Sequence, residues 1–165
     1  MILQAALDEF LTKRTTKGAD NIHWLIWLLE NPKSPLHLHG ACKLKGHDYI
    51  HVILDRGQAI EDEAFVIGFT MGNDGRTRMW EKKLFKFISH WLYPKNDSFT
   101  KDHLEIYDQG FAYGRSKLHI YQRIGEFDWS SIDKYLSLED VKKQYHHLHH
   151  KDQEHILHPH YDLQL

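Results

Sequence analysis

Apolar residues recur along this chain at the spacing of a helix face rather than in strict alternation. Leu3, Ala6, Leu7, Phe10 and Leu11 form a first stripe, and a second run from Ile22 to Leu29 follows the Lys-Gly-Ala-Asp-Asn break. Asn31-Pro32 and Ser34-Pro35 end that second helix, because a residue before proline is pushed out of helical geometry. A third helix is expected from about Leu36 to Asp55, ending at Gly57, and a fourth from Gln58 to about Met71. The chain then turns through Gly72-Asn73-Asp74-Gly75. Met79, Trp80, Leu84, Phe87, Ile88 and Trp91 mark a fifth helix, stopped by Tyr93-Pro94. Thr100 is placed to cap a sixth carrying Leu104, Tyr107, Phe111 and Leu118. Ser137-Leu138-Glu139-Asp140 has the Ser-x-x-acid pattern of a capping box and opens a last helix through Val141 and Tyr145. No period-2 stretch of useful length and no long-period repeat is present. The pattern predicts an all-α fold of about six to seven helices in one domain over residues 1–145, followed by a polar appendage over 146–165.

Composition narrows the function. At 165 residues, 41% of them apolar and 13% aromatic, the chain suffices for one sizeable core. Lys and Arg total 21 against 23 Asp and Glu, a formal charge of -2, so no general field attracts a phosphate backbone and nucleic acid is not an expected partner. A lone Cys42 gives no internal disulfide, and the charged N-terminal segment with Asp8, Glu9, Lys13 and Arg14 is unlike a signal peptide. A cytoplasmic protein is expected, with no spanning segment, since the apolar run Trp24 to Leu29 is far below the roughly twenty residues that cross a bilayer.

Histidine is the outlier at 15 copies, seven of them between His146 and His160. The tail set would bind Zn²⁺ or Ni²⁺ loosely as a polar end. The informative set is internal. His47 and His51 are four residues apart and share a helix face, with Asp48 close to the same side. A reversal after Asp55-Arg56-Gly57 would bring Glu61, Asp62 and Glu63 beside them, so that Glu63 completes a set of two histidines and two carboxylates. Imidazole with carboxylate suits one divalent ion, Zn²⁺, Fe²⁺, Mn²⁺ or Co²⁺. Asp48 either ligates directly or orients a histidine. The competing account is that these are solvated helix faces. No zincin motif is present, because Asp stands where His-Glu-x-x-His needs Glu.

His47-Asp48-Tyr49-Ile50-His51, followed after eleven residues by Glu63, resembles the His-Asp-x-x-His-x11-Glu signature of the fourth coenzyme Q biosynthesis protein family. Ala112-Tyr113-Gly114-Arg115, Phe127-Asp128-Trp129 and Ser137-Leu138-Glu139-Asp140-Val141 are similar to that family's Gly-Arg, Asp-Trp and terminal-helix segments. The likeness covers roughly residues 35 to 145. It implies an all-helical fold, a divalent metal on His47, Asp48, His51 and Glu63, and a hydrophobic groove for an isoprenoid tail or quinone-like precursor. It also implies removal of a ring C1 carboxyl in ubiquinone synthesis, or a scaffold for other biosynthetic enzymes. The metal would then bind the carboxylate and a neighbouring ring oxygen, with oxidation needing a redox-competent ion or O₂. The chain departs from that pattern in a shorter N-terminal portion and in its histidine-rich tail. Two alternatives stand beside this reading: a non-catalytic isoprenoid-binding scaffold with a structural metal, and an HD-type metal phosphohydrolase with His23 or His39 as upstream ligand.

Other residues carry two readings each. Arg115 could clamp a phosphate or carboxylate of the substrate, or sit in an ordinary ion pair. Gly68 with Gly72, and Gly110 with Gly114, leave bare helix faces for a neighbouring helix or for the substrate. Trp24, Trp27, Trp80, Trp91 and Trp129 are expected in the core, with an exposed subset touching membrane as the other option. Lys82, Lys83 and Lys86 form a solvated face or an anionic-lipid contact at the inner membrane. His37 and His39 are structural, exposed or pocket-lining. A homodimer is a further expected association.

Overall fold

The computed structural model describes residues 1–13, 38–42, 44–93, 98–118, 123–126 and 137–142. Their α-helices are α1 (Leu3–Thr12), α2 (Leu44–Ile53), α3 (Ile60–Asn73), α4 (Met79–Trp91) and α5 (Lys101–Ser116), with a 3₁₀ turn at Ile124–Glu126. Residues 138–142 are also helical, and no strand occurs among the described residues. The all-α expectation holds. The helix expected over Ile22 to Leu29, the Phe127-Asp128-Trp129 segment, His23, His37 and the tail lie outside the described residues.

The helix around the histidines is shorter than its sequence pattern. Instead of starting near Leu36 it starts at Leu44, because residues 38–41 form a turn closed by Ala41 N–H on the Leu38 carbonyl at 3.1 Å. Gly40 holds φ +92 there, and a β-carbon on it would lie 2.4 Å from Met71 Cα. Only glycine meets both conditions. The other end differs too. Asp55, not Gly57, takes the left-handed conformation, with φ 53, and Arg56 N–H closes the end on the His51 carbonyl at 2.9 Å. Asp tolerates this geometry better than most side chains.

α3 is the central element, buried without interruption from Ala64 to Asn73. Its glycines interlock with those of α5. A β-carbon on Gly68 would lie 2.2 Å from the Tyr107 carbonyl oxygen and one on Gly72 2.1 Å from that of Phe111. Reciprocally, Gly110 meets the Phe65 oxygen at 2.1 Å and Gly114 the Phe69 oxygen at 2.1 Å. The two backbones are in contact, and Gly68, Gly72 and Gly114 are filled by the facing helix, not open to a substrate. Of the two readings of these bare faces, close helix packing is the one present.

Two apolar clusters flank this pair. One joins Leu3, Ala6 and Leu7 of α1 with Ile50 and Ile53 of α2, Phe69 of α3, and Leu138 and Val141. The other joins Ile67 and Met71 of α3, Phe85 and Ile88 of α4, and Tyr107 and Phe111 of α5, with the Phe85 and Tyr107 rings stacked at 5.1 Å. Both predicted caps are present. Thr100 Oγ1 accepts from His103 N–H at 3.3 Å, and Ser137 Oγ accepts from Asp140 N–H at 3.4 Å. The chain around Ser137 pairs antiparallel with Ile2, and Lys142 pairs with Asp55, which ties 137–142 to the start of the chain and to the end of α2.

Candidate metal centre

His47 and His51 project from one face of α2, their ring centroids 4.8 Å apart and nearly perpendicular. The reversal through residues 54–59 delivers the acidic first turn of α3 to that face. Of the triplet expected there, one carboxylate arrives. Glu63 places Oε1 3.5 Å from His47 Nε2 and Oε2 3.1 Å from His51 Nε2. Asp62 turns instead to Arg56 at 3.6 Å, and Glu61 to His103 on α5 at 3.6 Å. Helical geometry explains the sorting, since successive side chains point about 100° apart.

Burial is graded across the group. His51 is 2% exposed and lies under the Phe10 ring of α1, with centroids 5.4 Å apart. His47 is half-buried, and the Glu63 side chain is 39% exposed, so the group is walled by the core on one side and reachable on the other. Gln58 Nε2 donates to the Phe10 carbonyl at 2.6 Å, which fastens α1 to the reversal loop. Tyr49 on α2 donates to Gln4 Oε1 at 3.1 Å, and burial, with Asp8 nearby, pushes its phenol up.

One ligand atom from each of His47, His51 and Glu63 lies within 4.8 Å of the others. Donors that share one ion at about 2.0–2.2 Å sit about 3–3.5 Å from each other, and the two histidine–carboxylate separations fall in that range. These three residues could therefore hold a metal ion. Asp48, expected as a fourth ligand, is buried but is not in this group of converging atoms. It stands about 100° around α2 from His47, on a shorter arm than Glu.

Other sequence candidates lie elsewhere. Arg115 donates Nη2 to the Thr77 carbonyl at 3.1 Å and stands over the Phe111 ring at 5.1 Å, so its guanidinium fastens α5 to the turn before α4. His39 Nδ1 is 2.8 Å from Glu81 Oε1, and the same oxygen accepts from His39 N–H at 3.2 Å. Glu81 Oε2 accepts from Arg78 N–H at 2.7 Å, closing the first turn of α4. Burial pushes the Glu81 carboxyl up, but these hydrogen bonds together outweigh it and hold it below the usual range. An open hollow of about 650 Å³ lies between His39, Arg76, Arg78, Trp80 and Glu81. Four of its seven lining residues, His39, Arg76, Arg78 and Glu81, are ionisable, and much of its wall is the apolar part of these side chains and of Trp80.

The sequence reading missed three features: the Phe10 cover over His51, the anchoring of Glu81, and the Asp74–Arg76–Glu126 cluster beside it, where Arg76 is bidentate on Asp74 at 2.9 and 2.7 Å and also pairs with Glu126. Asp74-Gly75-Arg76 carried the only advance signal, as an acid and a base two residues apart in a turn. The tryptophan expectation also needs correction. Trp80 and Trp91 are 55% and 70% exposed, because α4 turns Glu81, Phe85 and Ile88 inward and the Trp80–Trp91 stripe lies about a quarter-turn away. Trp24, Trp27 and Trp129 lie outside the described residues. No protein-family model, curated protein or solved structure matches this chain.

Proposed function

We infer that this chain is a divalent-metal-binding protein whose ion is held by His47, His51 and Glu63. The observation that carries the reading is the convergence of two imidazoles and one carboxylate within 4.8 Å across two helices that meet only in the folded chain. Zn²⁺, Fe²⁺, Mn²⁺ and Co²⁺ all suit these donors. When bound, such an ion supplies a Lewis acid for a substrate oxygen. The protein's own part is orientation: Phe10 packs on His51, α2 fixes the spacing of the two rings, and the partly exposed Glu63 leaves one side accessible.

The finer reading rests on the His-Asp-x-x-His-x11-Glu spacing and its resemblance to the fourth coenzyme Q biosynthesis family. In it the protein acts on, or presents, a quinone-like or prenylated aromatic acid, with loss of the C1 carboxyl as the reaction. A non-catalytic isoprenoid-binding scaffold with a structural metal is the alternative. Of the two upstream ligands open to the phosphohydrolase reading, His39 is engaged by Glu81 and is not in the converging group, and His23 lies outside the described residues.

Elemental analysis tests the reading on a chain ending at Tyr145, so that the tail histidines do not contribute. One metal per chain, lost in His51→Ala and in Glu63→Ala, is the expected result. A folded chain that retains no ion after exposure to each of the four metals would overturn it. Binding of a prenylated hydroxybenzoate that disappears with the metal supports direct engagement of substrate by the centre, and binding that survives metal removal supports the scaffold.

A further inference from the structure

The outward face of α4 has no partner among the described residues. Trp80, Leu84, Phe87 and Trp91 follow one another at steps of four, three and four residues, which places them in one stripe along the helix. Trp80 is 55%, Phe87 56% and Trp91 70% exposed, and Met79 and Leu92 extend the apolar surface at the two ends. The stripe is not a misplaced core face. The core contacts of α4 are already made by Phe85 and Ile88, packed against Tyr107 and Phe111. A continuous exposed apolar stripe of this kind marks a docking surface.

We propose that this face of α4 lies in the interface of an anionic lipid membrane. Charge selects the partner. α4 and its capping residue carry Arg78, Lys82, Lys83 and Lys86, whereas the one acid of α4, Glu81, is buried in its own cap. Lys82 and Lys86 share the single Asp108 of α5, at 2.9 and 2.6 Å, and Lys83 is exposed at the edge of the stripe and forms no ion pair among the described residues. Lys82 turns to α5, its ammonium 4.5 Å from the centre of the Phe111 ring. The basic rim beside the stripe is therefore Lys83, with Lys86 further round the helix, and such a rim complements acidic headgroups above acyl chains.

A second copy of the chain fits less well. A two-fold contact sets the same patch against itself, so each basic rim would meet another. The aromatic composition points the same way. Trp80 and Trp91, about 16 Å apart along the axis, are residues favoured where an apolar layer meets water. No helix among the described residues is long and apolar enough to cross a membrane, so the helix would lie in the plane of the surface. This contact does not depend on the metal reading.

The test is flotation of the full chain with vesicles of phosphatidylcholine alone and of phosphatidylcholine mixed with phosphatidylglycerol. The buffer is held at about pH 8, where histidines with ordinary pKa values near 6.5 are neutral. Expected is binding to the mixed vesicles only, weakened by added salt, about tenfold weaker in Phe87→Ser/Trp91→Ser, and several-fold weaker in Lys83→Glu. All three side chains are exposed, so the variants should melt with the unmutated chain. Absence of binding to mixed vesicles, equal binding to both compositions, or binding indifferent to Phe87 and Trp91 would overturn the proposal. So would a dimer in sedimentation that the double variant dissociates.

Discussion

His51 and Glu63 face each other across the reversal between α2 and α3, Nε2 3.1 Å from Oε2, with the imidazole closed off behind by Phe10. Folding brings these groups together, so an ion held by them binds the native chain in preference to the unfolded one. Added Zn²⁺ or Mn²⁺ should therefore raise the melting midpoint, with a stabilisation of about 2.7 kcal/mol when free metal is a hundredfold above Kd. Glu63→Gln, which keeps the shape and removes the charge, should abolish most of that rise. Thermal melts with metal and with chelator check this, and a metal-independent midpoint in the unmutated chain would remove the centre.

Asp48→Asn separates the two roles open to that residue. If its carboxylate lies outside the converging group, as the geometry of α2 places it, the variant should retain one ion with a reduced affinity, about 10–100-fold for loss of an outer hydrogen-bonding partner. Competitive titration with a chromophoric chelator measures it. Complete loss of the ion in a variant that still folds would make Asp48 a ligand.

The contact of α3 with α5 should be intolerant of a single methyl. In Gly114→Ala the new β-carbon would lie 2.1 Å from the Phe69 carbonyl oxygen and 2.8 Å from Asn73 N. Both are backbone atoms of the central helix and cannot swing aside. Alanine favours a helix by about 1 kcal/mol over glycine, yet the helices must part, and a net loss of about 1–3 kcal/mol or more is expected. Gly75→Ala is the control, because its nearest neighbour is the Leu118 Cδ2 atom at 3.6 Å. Urea midpoints should fall for the first variant and stay for the second.

Periodicity made the helices legible, and a four-residue step plus a reversal made the pairing of His47 and His51 with Glu63 legible. The limits of α2 were not, because they depend on distant contacts: Gly40 breaks the pattern where residues 38–41 press on the Met71 backbone, and Asp55 ends the helix before the glycine that marks an end in sequence. The rotation of α4 was equally hidden. Its apolar arc is wide enough to read as core on either side, and only the position of α5 decides that Phe85 goes in and Trp91 stays out. Arg115 stayed open between an anion clamp and an ion pair because the sequence does not show the Thr77 carbonyl that it reaches.

That placement of Arg115 gives a distinguishing variant. Arg115→Lys keeps the positive charge but loses the planar group over Phe111 and the aligned donor to Thr77. Stability should fall by about 1 kcal/mol, with metal stoichiometry unchanged. A structural role shows in the urea midpoint of the ligand-free chain. An effect confined to the affinity for an anionic aromatic substrate would restore the clamp.

Acid should reveal the anchoring of α4. Glu81 is pushed up by burial but pulled further down by Arg78 N–H and by the backbone and ring of His39. Asp74 is likewise pushed up by burial, and is held below its ordinary value by the side chain and backbone of Arg76. In the unfolded chain both carboxyls return to about 4. Their folded values are lower, so the unfolded state takes up protons first as pH falls. The stabilisation is fully present above about pH 4 and is lost as pH drops through the folded values. Urea midpoints of the unmutated chain should carry this extra loss below about pH 4. Glu81→Gln/Asp74→Asn should start less stable at neutral pH, having lost two charged hydrogen-bond acceptors at about 1.5–3 kcal/mol for each such bond, and should then decline less steeply. Parallel acid profiles for the two proteins would show that neither carboxyl titrates differently in the folded chain, and the anchoring of α4 would then need another cause.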